Sequence, residues 1–162
     1  MTTTLATLAL AGADVEVRRA GEQDLPAIVA LLADDPLGST REGRGEDLEP
    51  YRRAFRAVDG DPGQLLVVAV SSSEVVGTLQ LTFIPGLSRR GALRAQIEAV
   101  RVREDRRGHG LGAALFGWAV EHARRRGCAL VQLTTDRSRS DAHRFYERLG
   151  FVASHEGLKL QL

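Results

Sequence analysis

Cysteine occurs once in this sequence, at Cys128. No intramolecular disulfide can form, which suits a reducing, cytoplasmic compartment. Cys128 follows Arg124-Arg125-Arg126-Gly127 and opens an apolar run, which marks it as a buried small hydrophobe rather than a nucleophile. An excess of either charge is also missing: 22 basic residues stand against 21 acidic ones. No global field draws the chain to nucleic acid or an anionic membrane, so any anion must be recognised locally. No apolar run is long enough to span a bilayer. Residues 1–11 lack the basic start and strongly apolar centre of a signal peptide, and residues 1–12 are expected to form a flexible leader. No histidines and carboxylates share metal-ligand spacing, so no metal is expected. Repeats and low-complexity linkers are absent. The 162 residues, 43% hydrophobic and 27% charged, fit one globular domain over 13–162.

What is present is patterned in two periods. Val15-Glu16-Val17-Arg18 alternates and predicts a first strand. Asp24 stands as the N-cap of a helix with Pro26 in its opening turn, and Leu25, Ile28, Val29 and Leu32 recur at helical spacing. Residues 34–47 are polar and read as a loop. Residues 46–58 follow as a second helix, with Leu48, Tyr51, Phe55 and Val58 on one stripe. After the turn Asp59-Gly60-Asp61-Pro62-Gly63, residues 65–70 and 75–84 predict an antiparallel hairpin, and residues 92–102 a further strand. From Gly108 the period turns helical, with Leu111, Leu115, Trp118 and His122 toward the core. Arg124 to Arg126 suit the dipole at its C-terminus and Gly127 stops it. A short strand over 129–134, a helix over 141–149 and a closing hairpin of 151–152 with 158–162 complete the chain. This is an α/β chain, a mixed sheet with a strand–helix–strand unit at its centre.

The chemistry concentrates in Val100-Arg101-Val102-Arg103-Glu104-Asp105-Arg106-Arg107-Gly108-His109-Gly110-Leu111-Gly112. A strand runs through a basic, glycine-rich turn into a helix whose first N–H groups are unpaired. Glycines let a ligand approach the backbone, and the whole forms an anion cradle suited to a diphosphate. It is neither a P-loop, which ends Gly-Lys-Ser/Thr, nor a dinucleotide G-x-G-x-x-G, since the glycines fall at 108, 110 and 112. A structural turn would account for the glycines equally well.

Arg107-x-x-Gly110-x-Gly112 resembles the acetyl-CoA pyrophosphate signature of the GNAT superfamily of N-acetyltransferases. Asp141-Ala142-His143-Arg144-Phe145-Tyr146-Glu147-Arg148-Leu149-Gly150-Phe151 resembles its C-terminal motif, an Ala-x-x-Phe-Tyr helix closed by Gly-Phe. The resemblance is close from residue 92 onward and holds by element order before it. It implies a twisted mixed sheet with helices on both faces, whose strands on either side of the cradle splay apart around acetyl-CoA as cosubstrate. Val100 and Val102, with Arg101 between them, would meet the pantetheine as an added strand does. Arg107, Gly108, His109, Gly110, Leu111 and Gly112 would hold the diphosphate. Asp141 stands where many relatives carry asparagine; aspartate caps a helix well but cannot donate the amide's hydrogen bond to the coenzyme.

The same resemblance implies that Tyr146 is the general acid beside the coenzyme sulfur and Glu98 the base that takes the amine proton, directly or through water. A phenol, with an ordinary pKa of about 10, holds a proton it can give to a thiolate. From the residues alone Tyr146 could equally pack as a surface tyrosine. Glu98 is expected on an otherwise apolar strand face with Val100 and Val102, where burial would raise its pKa. His109 reads as a backbone or solvent-facing position, His143 as surface, and His122 as a ring packed on its helix. The acceptor is a primary amine of a small molecule or a protein. Residues 34–47 and 85–91 are expected to line its side, with Arg89 and Arg90 hinting at an acidic group. Small family members often pair, so a homodimer is plausible. One rival is a non-catalytic coenzyme-binding or interaction module of the same fold. Another, a nucleic-acid-binding domain suggested by Arg124 to Arg126 and Arg137 to Arg144, is disfavoured by the balanced charge and the lack of a recognition motif.

Overall fold

The computed structural model describes residues 3–35, 37–42 and 47–162. Its centre is a six-stranded sheet in chain order: β1 (Thr4–Leu10), β2 (Ala13–Arg19), β3 (Gln64–Ser71), β4 (Glu74–Ile84), β5 (Arg94–Val102) and β6 (Leu130–Leu133). Neighbours run antiparallel from β1 to β5, and β6 joins β5 in parallel. The parallel step requires a crossover, and the helix α4 (Leu111–Arg125) supplies it.

Apolar residues on both faces of β3 explain the layering. Leu65, Val67 and Ala69 face one core with Leu79 and Leu81 of β4 and with Leu111, Leu115, Phe116 and Ala119 of α4. Val68, with no exposed surface, faces the other core, among Leu25 and Ile28 of α1 (Leu25–Ala33) and Phe55 of α3 (Glu49–Asp59). A helical turn, α2 (Gly38–Arg41), follows α1, and α5 (Ser140–Arg148) lies near the C-terminus. Helices thus cover both faces, as the family resemblance implies.

Three expectations need correction. Thr4–Leu10 is a strand and not part of a leader: Ala6, Leu8 and Leu10 alternate onto the core, and Gly12 at φ 98° turns the chain into β2. Asp24 precedes α1 but does not cap it with its side chain. Its buried carboxylate turns back to accept from Gly21 N at 2.8 Å and from both terminal nitrogens of Arg18 at 2.7 and 2.9 Å. The closing hairpin does not form, because residues 151–162 carry no strand. Phe151 packs on the core, but Val152, Leu158 and Leu160 are more than 80% exposed. The ion pair Arg137–Glu156 joins two exposed side chains, which fixes little. Of the loop expected over 34–47 and the helix expected over 46–58, residues 36 and 43–46 lie outside the described residues.

Candidate active site

The pairing of β5 with β6 runs from Arg94–Leu130 to Ile97–Leu133 and stops. Beyond it β5 continues to Val102, still paired with β4. On the β6 side its backbone from Glu98 onward has no strand partner. A bulge at Ala99, held at φ 52°, occurs at this point: the register steps from Gln80–Glu98 to Thr78–Arg101. A left-handed alanine is strained, and it also reverses the alternation. Ile97 faces the core, and after the bulge Val100 and Val102 face it too. Arg101 thereby joins Gln96 and Glu98 on the opposite face. This corrects the placement of Glu98, which shares no face with Val100 and Val102 and is exposed. Its carboxylate accepts from Gln96 Nε2 at 2.5 Å, and Gln96 Oε1 accepts from Gln132 Nε2 of β6 at 2.8 Å.

After β5 a 3-10 turn over Glu104–Arg106 leads into the glycine-rich loop. Gly108 and Gly110 take φ of 75° and 85°, which favour glycine. A side chain at either would meet nothing within 4 Å, so the space above them is open. Gly110 begins α4 with no side-chain cap, leaving the first N–H groups free toward that space. Gly112 instead lies between Phe145 of α5 and Val102 of β5. Arg107 reaches back to donate from Nε to the Val102 carbonyl at 2.9 Å and from Nη2 to Asp34 Oδ2 at 3.0 Å. His109 is exposed and lines a cleft of about 330 Å³ shared with the β1–β2 turn.

Tyr146 closes the other side of the gap. Gly150 at φ 91° ends α5, and Phe151 N donates to the Tyr146 carbonyl at 3.0 Å. This folds Phe151 back so that Phe116, Phe145 and Phe151 surround the Tyr146 ring edge-on, with centroids 5.5, 5.6 and 6.2 Å away. The ring is thus packed against the core rather than lying on the surface. Its hydroxyl has no hydrogen-bond partner among the described residues. Burial pushes the phenol above its ordinary pKa, against the opposing pull of Arg139 and Arg101, so it keeps its proton at neutral pH.

Beside Tyr146, Asp35 joins Arg139 to Arg101. Asp35, after α1, is 14% exposed; its Oδ2 accepts from Arg139 Nη2 at 2.7 Å and meets Arg101 Nη2 at 3.1 Å. Its Oδ1 accepts from Gly38 N at 2.5 Å. Burial pushes the Asp35 carboxyl up, but Gly38, Arg139 and Arg101 outweigh it and hold the group below its ordinary value. The contacts join residues 35, 101 and 139, in three separate segments of the chain, so no local motif announces them. Arg89 and Arg90, expected on the acceptor side, sit exposed on a left-handed turn before β5. That is the end of β5 remote from the gap. Asp141 is the second residue of α5, is almost fully exposed and pairs with Arg144; it does not cap the helix. His122 stacks against Phe83 and Trp118, as expected, and burial lowers its pKa. Burial likewise pushes the half-buried Cys128 thiol up, against nucleophilic use. Among the described residues no three His, Cys, Asp or Glu side chains are placed to hold a metal ion, and no helix is long and apolar enough to cross a membrane.

A sheet opened between two parallel strands, with a glycine-opened helix at the mouth of the gap, suits a ligand that carries a diphosphate on an extended arm. This architecture is that of a coenzyme A-dependent acyltransferase. The Acetyltransferase (GNAT) family matches residues 25–151. The aminoalkylphosphonate N-acetyltransferase of Salmonella typhimurium is 32% identical over 86% of this chain and 86% of its own. The L-methionine sulfoximine/L-methionine sulfone acetyltransferase of Pseudomonas aeruginosa is 32% identical over 85% and 80%. The crystal structure of a protein from Bacillus halodurans described as a transcriptional regulator superposes with a TM-score of 0.86 at 49% identity, covering 91% and 99% of the two chains. The chain belongs to the GNAT family and is an N-acetyltransferase, in a family whose acetyl donor is acetyl-CoA.

Proposed function

We propose that this enzyme acetylates a small primary amine by direct transfer, in the gap where β5 and β6 part. Bound acetyl-CoA supplies an activated thioester. The N–H groups opening α4 at Gly110 to Gly112, with Gly108 and His109 before them, take the diphosphate, and Arg107 turns from Asp34 to join them. Val100 to Val102 offer backbone groups to the pantetheine arm. Glu98, or a water it holds, accepts the amine's proton as the new C–N bond forms. Tyr146 gives its phenolic proton to the sulfur as the C–S bond breaks, so charge and protons balance. The observation that carries this reading is the end of strand pairing at Ile97–Leu133, with Tyr146, whose hydroxyl has no partner among the described residues and whose pKa burial raises, on the neighbouring helix. Two relatives named for small amines support a small-molecule acceptor. A cytoplasmic homodimer is part of the same proposal; the exposed leucines of the tail support pairing, and light scattering on the purified protein tests it. The activity is tested by acetyl-CoA-dependent thiol release over an amine panel, with the N-acetylated product identified by mass spectrometry. Thiol release that no amine accelerates would overturn the reading.

A further inference from the structure

We propose that Arg101 and Arg139 bind an anionic group, a phosphonate or a carboxylate, carried one or two carbons from the acceptor's amine. The inference rests on the acetyl-transfer reading above and names the acceptor class for that site. Both guanidiniums converge on one oxygen, Asp35 Oδ2, so two positive charges meet one negative charge at contact distance. Among the described residues Glu42 also acts on Arg101, more weakly than Asp35, and its carboxylate is engaged by the Tyr51 hydroxyl at 2.6 Å. Arg101 is half-buried: its Nε is enclosed, its Nη1 donates to the Val100 carbonyl at 2.9 Å, and its Nη2, which meets Asp35, keeps a second N–H. Arg139 spends only Nη2 on Asp35. The pair therefore has donors to spare and an excess of positive charge in a partly desolvated place, the environment in which arginine recognises planar or tetrahedral anions.

Position supplies the second half of the argument. Both arginines act electrostatically on the Tyr146 phenol, and Arg101 belongs to the strand face that also carries Glu98. An amine attacking between Glu98 and Tyr146 places a substituent on its first or second carbon next to this pair. The coenzyme's diphosphate, by contrast, is served by the α4 N-terminus and Arg107. The acceptors in the names of the two 32% identical relatives, an aminoalkylphosphonate and amino acids, carry such a group.

The test compares 2-aminoethylphosphonate, β-alanine and uncharged n-propylamine as acceptors of the wild-type enzyme and of Arg139→Gln and Arg139→Lys. Wild type is expected to favour the anionic acceptors in kcat/KM by at least tenfold over n-propylamine, with the preference shrinking as salt rises. The two anionic acceptors rank phosphonate against carboxylate. Arg139→Gln should cut that ratio at least tenfold, mainly through KM, while calorimetry shows acetyl-CoA affinity within twofold of wild type. Arg139→Lys should recover part of the ratio. A wild-type enzyme that prefers n-propylamine overturns the proposal yet leaves acetyl transfer standing. So does a loss in Arg139→Gln that falls on acetyl-CoA affinity instead. Should no amine be acetylated at all, the transfer reading fails, and calorimetric titration of wild type with 2-aminoethylphosphonate in the presence of coenzyme A still decides the site: millimolar or tighter binding that Arg139→Gln abolishes supports it, and no binding overturns it.

Discussion

Replacing Tyr146 with phenylalanine removes one hydroxyl and leaves the ring. The three edge-on contacts to Phe116, Phe145 and Phe151 persist, and such pairs contribute roughly 0.5–1.5 kcal/mol each beyond their buried area. The hydroxyl makes no hydrogen bond among the described residues, so its loss should change stability by less than about 1 kcal/mol. For a chain of this size that is a shift in melting temperature of under about 4 °C. The effect on turnover should be far larger. A positioned general acid contributes about 100-fold to 10,000-fold, and the lower bound alone raises the barrier by about 2.7 kcal/mol. Because burial pushes the phenol above its ordinary value, Tyr146 stays protonated through neutral and mildly alkaline pH. It should therefore place no basic limb on the rate profile below pH of about 10. The assay is steady-state turnover with a competent acceptor from pH 6 to 10, beside a melting curve and a coenzyme titration. Full activity in Tyr146→Phe would refute the role and leave the ring as packing. Tyr146→Ala would not answer the question, since it empties an aromatic cluster at about 3–5 kcal/mol.

Gly110→Val should weaken acetyl-CoA binding at least tenfold, read by calorimetry. The open space above Gly110 is the proposed diphosphate path, and its φ of 85° adds about 1–2 kcal/mol of backbone strain. Glu98→Gln should lower turnover at neutral pH while leaving coenzyme affinity and melting temperature near wild type, because the exposed side chain keeps its hydrogen bond from Gln96; unchanged turnover would move the base elsewhere. Asp24→Asn should destabilise the fold by about 3 kcal/mol by stranding Arg18. Burial, the largest single influence on Asp24, pushes its pKa up, but Arg18 and Gly21 N–H outweigh it and hold the group below its ordinary value. Its contribution is thus complete above the unfolded pKa and lost as pH falls through the folded one. Wild-type stability should fall with acid below about pH 4, and Asp24→Asn should lack that component in denaturant titrations.

The segment from β5 to α5 was largely legible because its signals are local. Glycines at 108, 110, 127 and 150 all take positive φ, and each marks a turn or helix end that the sequence shows. β1 carried no clean signal: Leu5 and Ala9 on one parity are apolar like Ala6, Leu8 and Leu10 on the other, so alternation singles out no face. The bulge at Ala99 had no signal, since alanine does not favour positive φ, and it put Glu98 and Arg101 on one face, which simple alternation would not do. The ion pairs of Asp34 with Arg107 and of Asp35 with Arg101 and Arg139 span 66 to 104 residues of chain. Only the fold brings them together. The tail shows the converse case: Leu158, Leu160 and Leu162 alternate as a strand should, yet none is buried. Periodicity names a face, not a partner for it.

The two halves of the site rest on foundations of unequal firmness. β3 and β4 are sealed from both sides, with Val67, Val68, Ala69, Val76, Leu79 and Leu81 showing no exposed surface. β6 and α5, which carry Gln132 and Tyr146, contain no fully buried residue at all. Amide protons in the first pair should exchange only by global unfolding, and those in the second by cheap local opening. A ligand lying between β5 and β6 touches both halves, so its binding should slow exchange most in α5, where the free protein is loosest. Full-length enzyme with and without coenzyme A, followed by exchange mass spectrometry, would read this directly; equal protection of α5 in both states would contradict it. Tyr146, the proposed proton donor, thus sits on the helix whose order should depend most on the ligand.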